Sequence, residues 1–324
     1  MDIIVMYKPS DHVPLVITKQ HIDTIKKHAD NVHWFETEDE LLASGVDAEV
    51  IFCWCGTSGS PPEAFCGTSK RLKWLNTFSA GFDPLSKSKI ADMPLIITNA
   101  KGVHGRSMAL TTLGYCVAHL RKFWEMRENQ RNHTWKKPDV MGTEATGKTL
   151  GIIGAGSIGE HIAEYSKAIG FRVIGVKRNV VKLDNFDEIY SDKELNKALA
   201  TMDFVVVLTP LTDKTYHLIN SKCFAAMKKG AFFVNIARGG VVDSQALINA
   251  LEIGHLSGAA IDAAEPEPLP ENSRLWDFPN VFITPHCSAD SPFLVDRAVE
   301  QFCENIENLK AGRPLFNVID PKNY

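Results

Sequence analysis

The chain has 324 residues, enough for about two domains at roughly 150 residues each. Its 44% hydrophobic and 23% charged content is that of an ordinary globular protein. Its 35 basic and 39 acidic side chains, net charge −4, give no electrostatic support for nucleic-acid or membrane-surface partners.

The opening apolar run, 1–6, has the length of a strand, is ended by Lys8 and Pro9, and is too short for a signal peptide. No stretch approaches the ~18 apolar residues of a membrane span. Seven cysteines without framework spacing point to reduced thiols and a cytoplasmic protein. Cys53 and Cys55 have no second Cys or His pair at zinc-site spacing, so they read as strand-end residues, and no metal is expected.

Over the first hundred residues, strand signals at 3–7, 32–35, 50–54, 72–78 and 95–98 alternate with helical ones at 19–28 and 39–43. Pro, Gly and Ser clusters such as 56–62 separate them. This is the rhythm of a small parallel-sheet domain. FSAGFD at 78–83 is a Gly-centred loop whose amides suit an anion, although by itself it reads more simply as an ordinary turn. A long helix is predicted from about 107 to 131. Its Tyr115, Phe123 and Trp124, with Trp135 beyond, fit either core packing or a subunit interface.

GKTLGIIGAGSIG at 147–159 carries the strongest signal in the chain. A buried strand, 149–153, runs into Gly154, Ala155, Gly156, Ser157, Ile158 and Gly159 and then into a periodic helix reaching about 169. That is the G-x-G-x-x-G fingerprint in its required strand–turn–helix context. Backbone amides at the helix start face a pyrophosphate, whose charge the helix dipole favours. The next strand, 171–176, ends where a ribose-binding acid would stand, and Lys177, Arg178 and Asn179 stand there instead. A cation there removes repulsion against a 2′-phosphate and donates to it, which favours NADP over NAD.

Strands follow at 204–208, 232–236, 257–261 and 281–284, with helices near 221–227, 244–252 and 293–311. In an open parallel sheet the ligand crevice lies at the carboxyl ends of the strands. Arg238, Asp262 and His286 each sit just past such an end. Reduction of a carbonyl by a nicotinamide cofactor needs an acid, a cation that grips the substrate, and a group that sets the acid's pKa. His286, Arg238 and a carboxylate within 262–267 suit these roles.

Taken in order, several motifs resemble the D-isomer specific 2-hydroxyacid dehydrogenase family. They are the glycine segment at 147–159, TPLTDKT (209–215), NIARGGVVD (235–243), GAAIDAAEPEP (258–268) and PNVFITPH (279–286). The resemblance is dense over about 98–288 and thin before it. It implies an α/β fold of two Rossmann-like doubly wound parallel-sheet domains, the cofactor domain (102–287) inserted into the substrate domain (1–101 and 288–324), with the active site between them. It also implies that the final helix returns to the first domain.

Carried over by residue, the resemblance makes Arg238 the group that binds and polarises a 2-oxo acid. It makes His286 the acid/base and Glu267 its support, preferred to Glu265 by its register from Asp262. Met108, Thr209, Pro210, Ile236, Ala237 and Asp262 would contact the cofactor, Asp262 through the nicotinamide carboxamide. Ser79, Ala80 and Gly81 would hold the substrate carboxylate. Trp54, Met108, Ser288 and Trp135 would line the remainder of the pocket. The family is usually dimeric through the cofactor domain, and in its glyoxylate/hydroxypyruvate reductase branch a Trp in the position of Trp135 reaches the neighbour's site. The expected activity is therefore hydride transfer between NADPH and a small 2-oxo acid. The alternative is a non-catalytic dinucleotide-sensing protein of the corepressor type with the same fold. Formate-dehydrogenase-like chemistry is disfavoured, because it pairs its His with Gln rather than with a Glu such as Glu267.

Overall fold

The computed structural model describes residues 1–7, 16–55, 60–81, 83–320 and 322. The expected break at Lys8 and Pro9, the start of the 56–62 loop and Phe82 of FSAGFD lie outside the described residues. The chain divides into two compact units, Met1–His104 with Asp290–Tyr324, and Gly105–Ala289.

The first unit runs β1 (Asp2–Met6), α1 (Lys19–Ile25), β2 (Asn31–Phe35), α2 (Glu38–Ser44), β3 (Val50–Cys53), α3 (Glu63–Thr68), β4 (Trp74–Thr77), α4 (Asp83–Ser86) and β5 (Ile96–Asn99). Among the described residues the strands pair in parallel in the order β2-β1-β3-β4-β5. Side chains alternate across a strand, so each strand must feed two cores. Ile3, Val5, Phe52 and Trp74 pack on one face. Ile4, Ile51, Cys53 and Leu75 pack on the other. Both faces are dry, which explains the continuous apolar strand runs.

In the second unit come α5 (Gly105–Leu120), α6 (Phe123–Arg131), β6 (Thr149–Ile153), α7 (Ser157–Ala168), β7 (Arg172–Lys177), β8 (Glu188–Ser191), α8 (Leu195–Leu199) and β9 (Phe204–Val207). Then follow α9 (Ser221–Ala226), β10 (Ala231–Asn235), α10 (Ser244–Glu252), β11 (Leu256–Ile261) and β12 (Val281–Ile283). The parallel sheet has the order β12-β11-β10-β9-β6-β7-β8. The winding reverses between β6 and β9, which opens a crevice at their carboxyl ends. A last helix, α11 (Leu294–Lys310), belongs to the first unit. It gives Leu294, Val295, Ala298, Val299, Phe302 and Ile306 to that core, and Phe302 stacks on Phe52 at 4.4 Å.

The predicted helix over 107–131 is in fact two. Lys122 takes a left-handed conformation, φ +60°, which ends one helix and starts the next. Periodicity cannot reveal such a break, because a non-glycine residue gives no sign of it. The aromatics there divide. Tyr115 is buried and Trp124 packs on His119 at 4.9 Å and on Phe282 at 5.3 Å, whereas Phe123 and Trp135 are exposed. The strand β8 and the helices α3, α4 and α8 are not among the expected elements. Each is short, and β8 lies at the sheet's edge with the polar sequence EIYS.

Candidate active site

At the switch point the glycine segment makes a cradle. Gly154 has φ +97°, and a Cβ there would stand 2.9 Å from the Thr209 amide nitrogen, so only glycine lets β6 turn against the loop after β9. A Cβ on Gly156 would meet nothing nearer than the Gly154 carbonyl at 4.0 Å, so the space in front of α7 is open. That helix begins without a side-chain cap. The Ser157 and Ile158 amides of its first turn therefore have no intrahelical acceptor. Open space, uncapped amides and a positive helix end fit a pyrophosphate. Gly159 lies closer in, where a Cβ would touch Ile152 at 3.2 Å. The residues present fit a dinucleotide.

Around this cradle stand the other expected cofactor residues. Lys177, at the end of β7, is half-buried, and Arg178 and Asn179 are exposed. Neither cation forms an ion pair with a described residue. Thr209 leans its hydroxyl onto the Ile153 carbonyl (3.3 Å), and the Pro210 carbonyl accepts from the Thr215 hydroxyl at 2.6 Å. Ile236 and Ala237 are buried past β10, and Met108 is buried on α5.

The turn that follows β10 carries Arg238. Asn235, buried at the strand's end, donates through Nδ2 to the Arg238 carbonyl (3.2 Å) and the Ala263 carbonyl (2.9 Å), and accepts from the Ala237 amide (3.2 Å). One amide side chain thus ties the Arg238 turn to the loop after β11.

Asp262 opens that loop and is buried. Its Oδ1 accepts from the Thr284 hydroxyl (2.6 Å) and the Cys287 amide (3.0 Å), and its Oδ2 from the Ser288 amide (3.0 Å). The Tyr115 hydroxyl lies 2.6 Å from the Thr284 oxygen. Thr284 has one proton and spends it on the carboxylate, so Tyr115 is the donor to Thr284. Asp262 therefore gathers the whole 284–288 segment around itself. Its expected contact with a nicotinamide carboxamide would use what remains on Oδ2.

His286 is held at φ +53°, a left-handed conformation that His tolerates better than most residues. Its amide donates to the Asp262 carbonyl at 2.9 Å. The ring Nδ1–H donates to Glu267 Oε2 at 2.9 Å, and Glu267 Oε1 accepts from the Ala264 amide at 2.9 Å. The bond to Glu267 holds the imidazole pKa above its ordinary value, against the opposing pull of burial and of the Arg238 charge. Burial works to raise the Glu267 carboxyl, and the bond and charge of His286 outweigh it, so its pKa lies below its ordinary value. Each partner thus favours the charged form of the other, imidazolium beside carboxylate, and Nε2 is the ring nitrogen that Glu267 does not engage.

Arg238, Asp262, Glu267 and His286 all lie in the second unit. In the first, Ser79 is buried and braced between Thr77 Oγ1 and the Gly81 carbonyl, both at 2.8 Å. Its own amide points to Thr77 Oγ1 at 3.3 Å. The Ala80 and Gly81 amides have no acceptor among the described residues. Trp54 follows β3 and packs on Phe78 at 5.3 Å. Ser288 is buried, and its carbonyl accepts from the Thr111 hydroxyl at 3.2 Å. Trp135 is fully exposed. The sequence assigns no site role to Asn235, Thr284, Tyr115 or His217; Asn235 lies inside NIARGGVVD and Thr284 inside PNVFITPH, Tyr115 stands out there only as a core or interface aromatic, and nothing in the sequence marks His217. Among the described residues no cluster of three or more His, Cys, Asp or Glu side chains could hold a metal.

An acid, a cation and a dinucleotide cradle on one edge of one sheet are what a dinucleotide-dependent oxidoreductase requires, and that combination sets the class. Comparison narrows it. The profile described as D-isomer specific 2-hydroxyacid dehydrogenase, NAD binding domain, matches residues 113–288. A glyoxylate reductase of Thermofilum pendens is 31% identical over 313 residues, 93% of this chain and 91% of its own length. A D-isomer specific 2-hydroxyacid dehydrogenase from Xanthobacter autotrophicus, solved with NADPH and MES, has a TM-score of 0.82 at 28% identity, covering 99% of this chain and 98% of that one. An NADPH-dependent glyoxylate/hydroxypyruvate reductase from Sinorhizobium meliloti, solved with NADP and sulfate, has a TM-score of 0.81 at 26% identity, covering 99% of each chain. The chain belongs to the D-isomer specific 2-hydroxyacid dehydrogenases, NAD(P)-dependent oxidoreductases that act on 2-hydroxy acids.

Proposed function

We propose that this protein is an NADPH-preferring 2-oxo acid reductase acting on a small substrate of the glyoxylate or hydroxypyruvate kind. The observation that carries the reading is the 2.9 Å bond from His286 Nδ1 to Glu267, with the Arg238 charge acting on both partners. When bound, the dinucleotide supplies hydride to the substrate's C2. Glu267 keeps His286 protonated, and the proton on Nε2 goes to the carbonyl oxygen as charge develops there. Arg238 pairs with the substrate carboxylate through its planar fork and polarises the carbonyl. The Ala80 and Gly81 amides, on the loop that Ser79 braces, are proposed as further donors for that carboxylate, with Trp54, and Trp135 of a neighbouring subunit, as further substrate contacts.

Lys177 and Arg178, with no acid beside them, support NADP as the cofactor. The Sinorhizobium meliloti relative, described as NADPH-dependent, supports the same choice. We further propose a homodimer through the second unit. Phe123, Met126, Val140 and Met141 are exposed there beside Trp135. A groove of about 610 Å³ runs between α6 and the 136–139 segment, with Phe123, Trp124, Pro279 and Phe282 in its wall. Apolar area of this extent asks for cover. The seven free thiols support residence in the cytoplasm.

The test is initial-rate oxidation of NADPH and of NADH with glyoxylate, hydroxypyruvate, pyruvate, phenylpyruvate and 2-ketopantoate. Turnover with NADPH on one of the small acids is expected. Turnover with NADH alone would overturn the cofactor reading, and silence across the panel from protein that binds dinucleotide would overturn the substrate reading.

A further inference from the structure

We propose that His217 and Glu265 are positioning residues for this reaction, pinning the loop that carries Glu267 onto the turn that carries Arg238. The proposal rests on the role given above to His286 and Glu267. Arg238 and Glu267 sit on separate loops, after β10 and β11, and acid and cation stay in register only if those loops do. The two backbones touch directly: a Cβ on Gly239 would stand 1.7 Å from the Ala264 carbonyl oxygen and 2.6 Å from the Glu265 nitrogen. The inner end of this contact is closed by Asn235, which donates to the carbonyls of Arg238 and Ala263.

The outer end is closed by His217. Its amide donates to the Gly240 carbonyl at 2.8 Å, and Ile219 just beyond it bridges Val242, so His217 is anchored to the Arg238 side. Its ring reaches the other side, where Nε2–H donates to Glu265 Oε2 at 3.1 Å. Two features fix that ring: a left-handed backbone, φ +50°, and the Tyr216 ring stacked on it at 4.0 Å and 16°. Glu265 is two residues from Glu267, and the amide of Ala264, the residue just before Glu265, donates to Glu267 Oε1, so the hydrogen bond spans Glu265. Movement of Ala264 and Glu265 therefore carries Glu267 with it. The sequence sets Glu265 aside in favour of Glu267, yet its carboxylate is placed against Gly240, where a Cβ would lie 3.3 Å from Oε1.

Opening the outer end lets Glu267 move away from His286. The charged groups acting on His286 are Glu267 and Asp262, which favour the imidazolium, and Arg238, which opposes it. A looser Glu267 shifts that balance towards the neutral ring. The experiment compares wild type with His217→Ala, Glu265→Ala and His217→Gln, the last keeping a side-chain N–H donor. Imidazole NMR titration, with the His286 signal assigned through His286→Gln, reads the ring without need of turnover. Expected are a lower His286 pKa in both alanine variants, kcat lower by about five- to tenfold, little change in KM or in NADPH binding by fluorescence, and recovery of both readouts in His217→Gln. A His286 titration identical to wild type in both alanine variants overturns the proposal. A shifted titration in a protein that reduces no 2-oxo acid overturns the functional reading and leaves the positioning role standing. Should His217→Ala fail to fold, Glu265→Ala carries the test, because Glu265 is a partly exposed loop side chain.

Discussion

Replacing Glu267 by Gln retains the shape of the side chain and an acceptor for His286 Nδ1–H, but removes the charge. In the native protein that bond is the leading cause that lifts His286 above its ordinary value of 6.5. Without the carboxylate, burial and Arg238 pull against Asp262 alone, and the imidazole pKa falls. In the proposed mechanism reduction needs the imidazolium, so log kcat/KM for the 2-oxo acid should decline as pH rises through the His286 pKa, and in the variant this decline should begin at lower pH. Each pH unit above the pKa loses about a factor of ten, or 1.36 kcal/mol. A positioned general acid contributes about 10²–10⁴-fold. His286 itself remains in the variant, so the lower end applies: a loss of about 100-fold at pH 8, shrinking on acidification. NADPH oxidation measured from pH 5 to 9 reads both quantities. A loss of the same size at every pH would refute the reasoning.

The same pair makes a signed stability prediction. Glu267 is lowered in the fold, so its contribution is present above its ordinary 4.5 and is lost as pH falls through the folded value. His286 is raised, so its contribution is complete below 6.5 and is lost as pH rises through the folded value. The stabilisation is greatest between, at about pH 4.5–6.5. The side chains are 31% and 38% exposed, and solvent screening holds the effect below about 1 kcal/mol. The Tm difference between wild type and Glu267→Gln should peak in that window; a difference that grows towards pH 8 would contradict it.

Lys177→Ala and Arg178→Ala should each weaken NADPH by about tenfold, the loss of a charge-assisted donor, and leave NADH unchanged; equal loss for both cofactors would remove the 2′-phosphate assignment. Thr284→Val takes the short O–H donor from buried Asp262 and the acceptor from Tyr115. A cost of about 2–3 kcal/mol and a Tm lower by roughly 5–10 °C should follow, with Thr284→Ser recovering most of it. Phe123→Glu places a charge in the exposed apolar set around α6 and should halve the mass read by light scattering. A mass that is unchanged and dimeric would put the interface elsewhere.

Strand ends made Arg238, Asp262 and His286 legible, because a parallel sheet delivers every loop at its carboxyl edge to one crevice. The glycine segment was legible because close approach of backbone to backbone admits few residue types. The break at Lys122 was not, since a left-handed lysine looks like any lysine. Tyr115 and Thr284 are 169 positions apart in the chain, and His217 and Glu265 are 48 apart. No local pattern joins such pairs. They follow from how α5 packs against the end of β12, and how the segment after β9 meets the loop after β11, which only the fold supplies.

The return of α11 to the first unit has a consequence for synthesis. Ile3, Val5, Phe52 and Trp74 share a core with Leu294, Val299 and Phe302, and Thr98 bridges Val318. On the ribosome the N-terminal strands emerge first, and the helix that covers one face of their sheet emerges only after all of Gly105–Ala289. At about 5–20 residues per second, that face waits roughly 10–40 s for its cover. The middle of the chain, whose own core needs nothing translated later, can finish first. The earliest segment made is the last to be sealed, and in that interval a chaperone has the most apolar surface to shield.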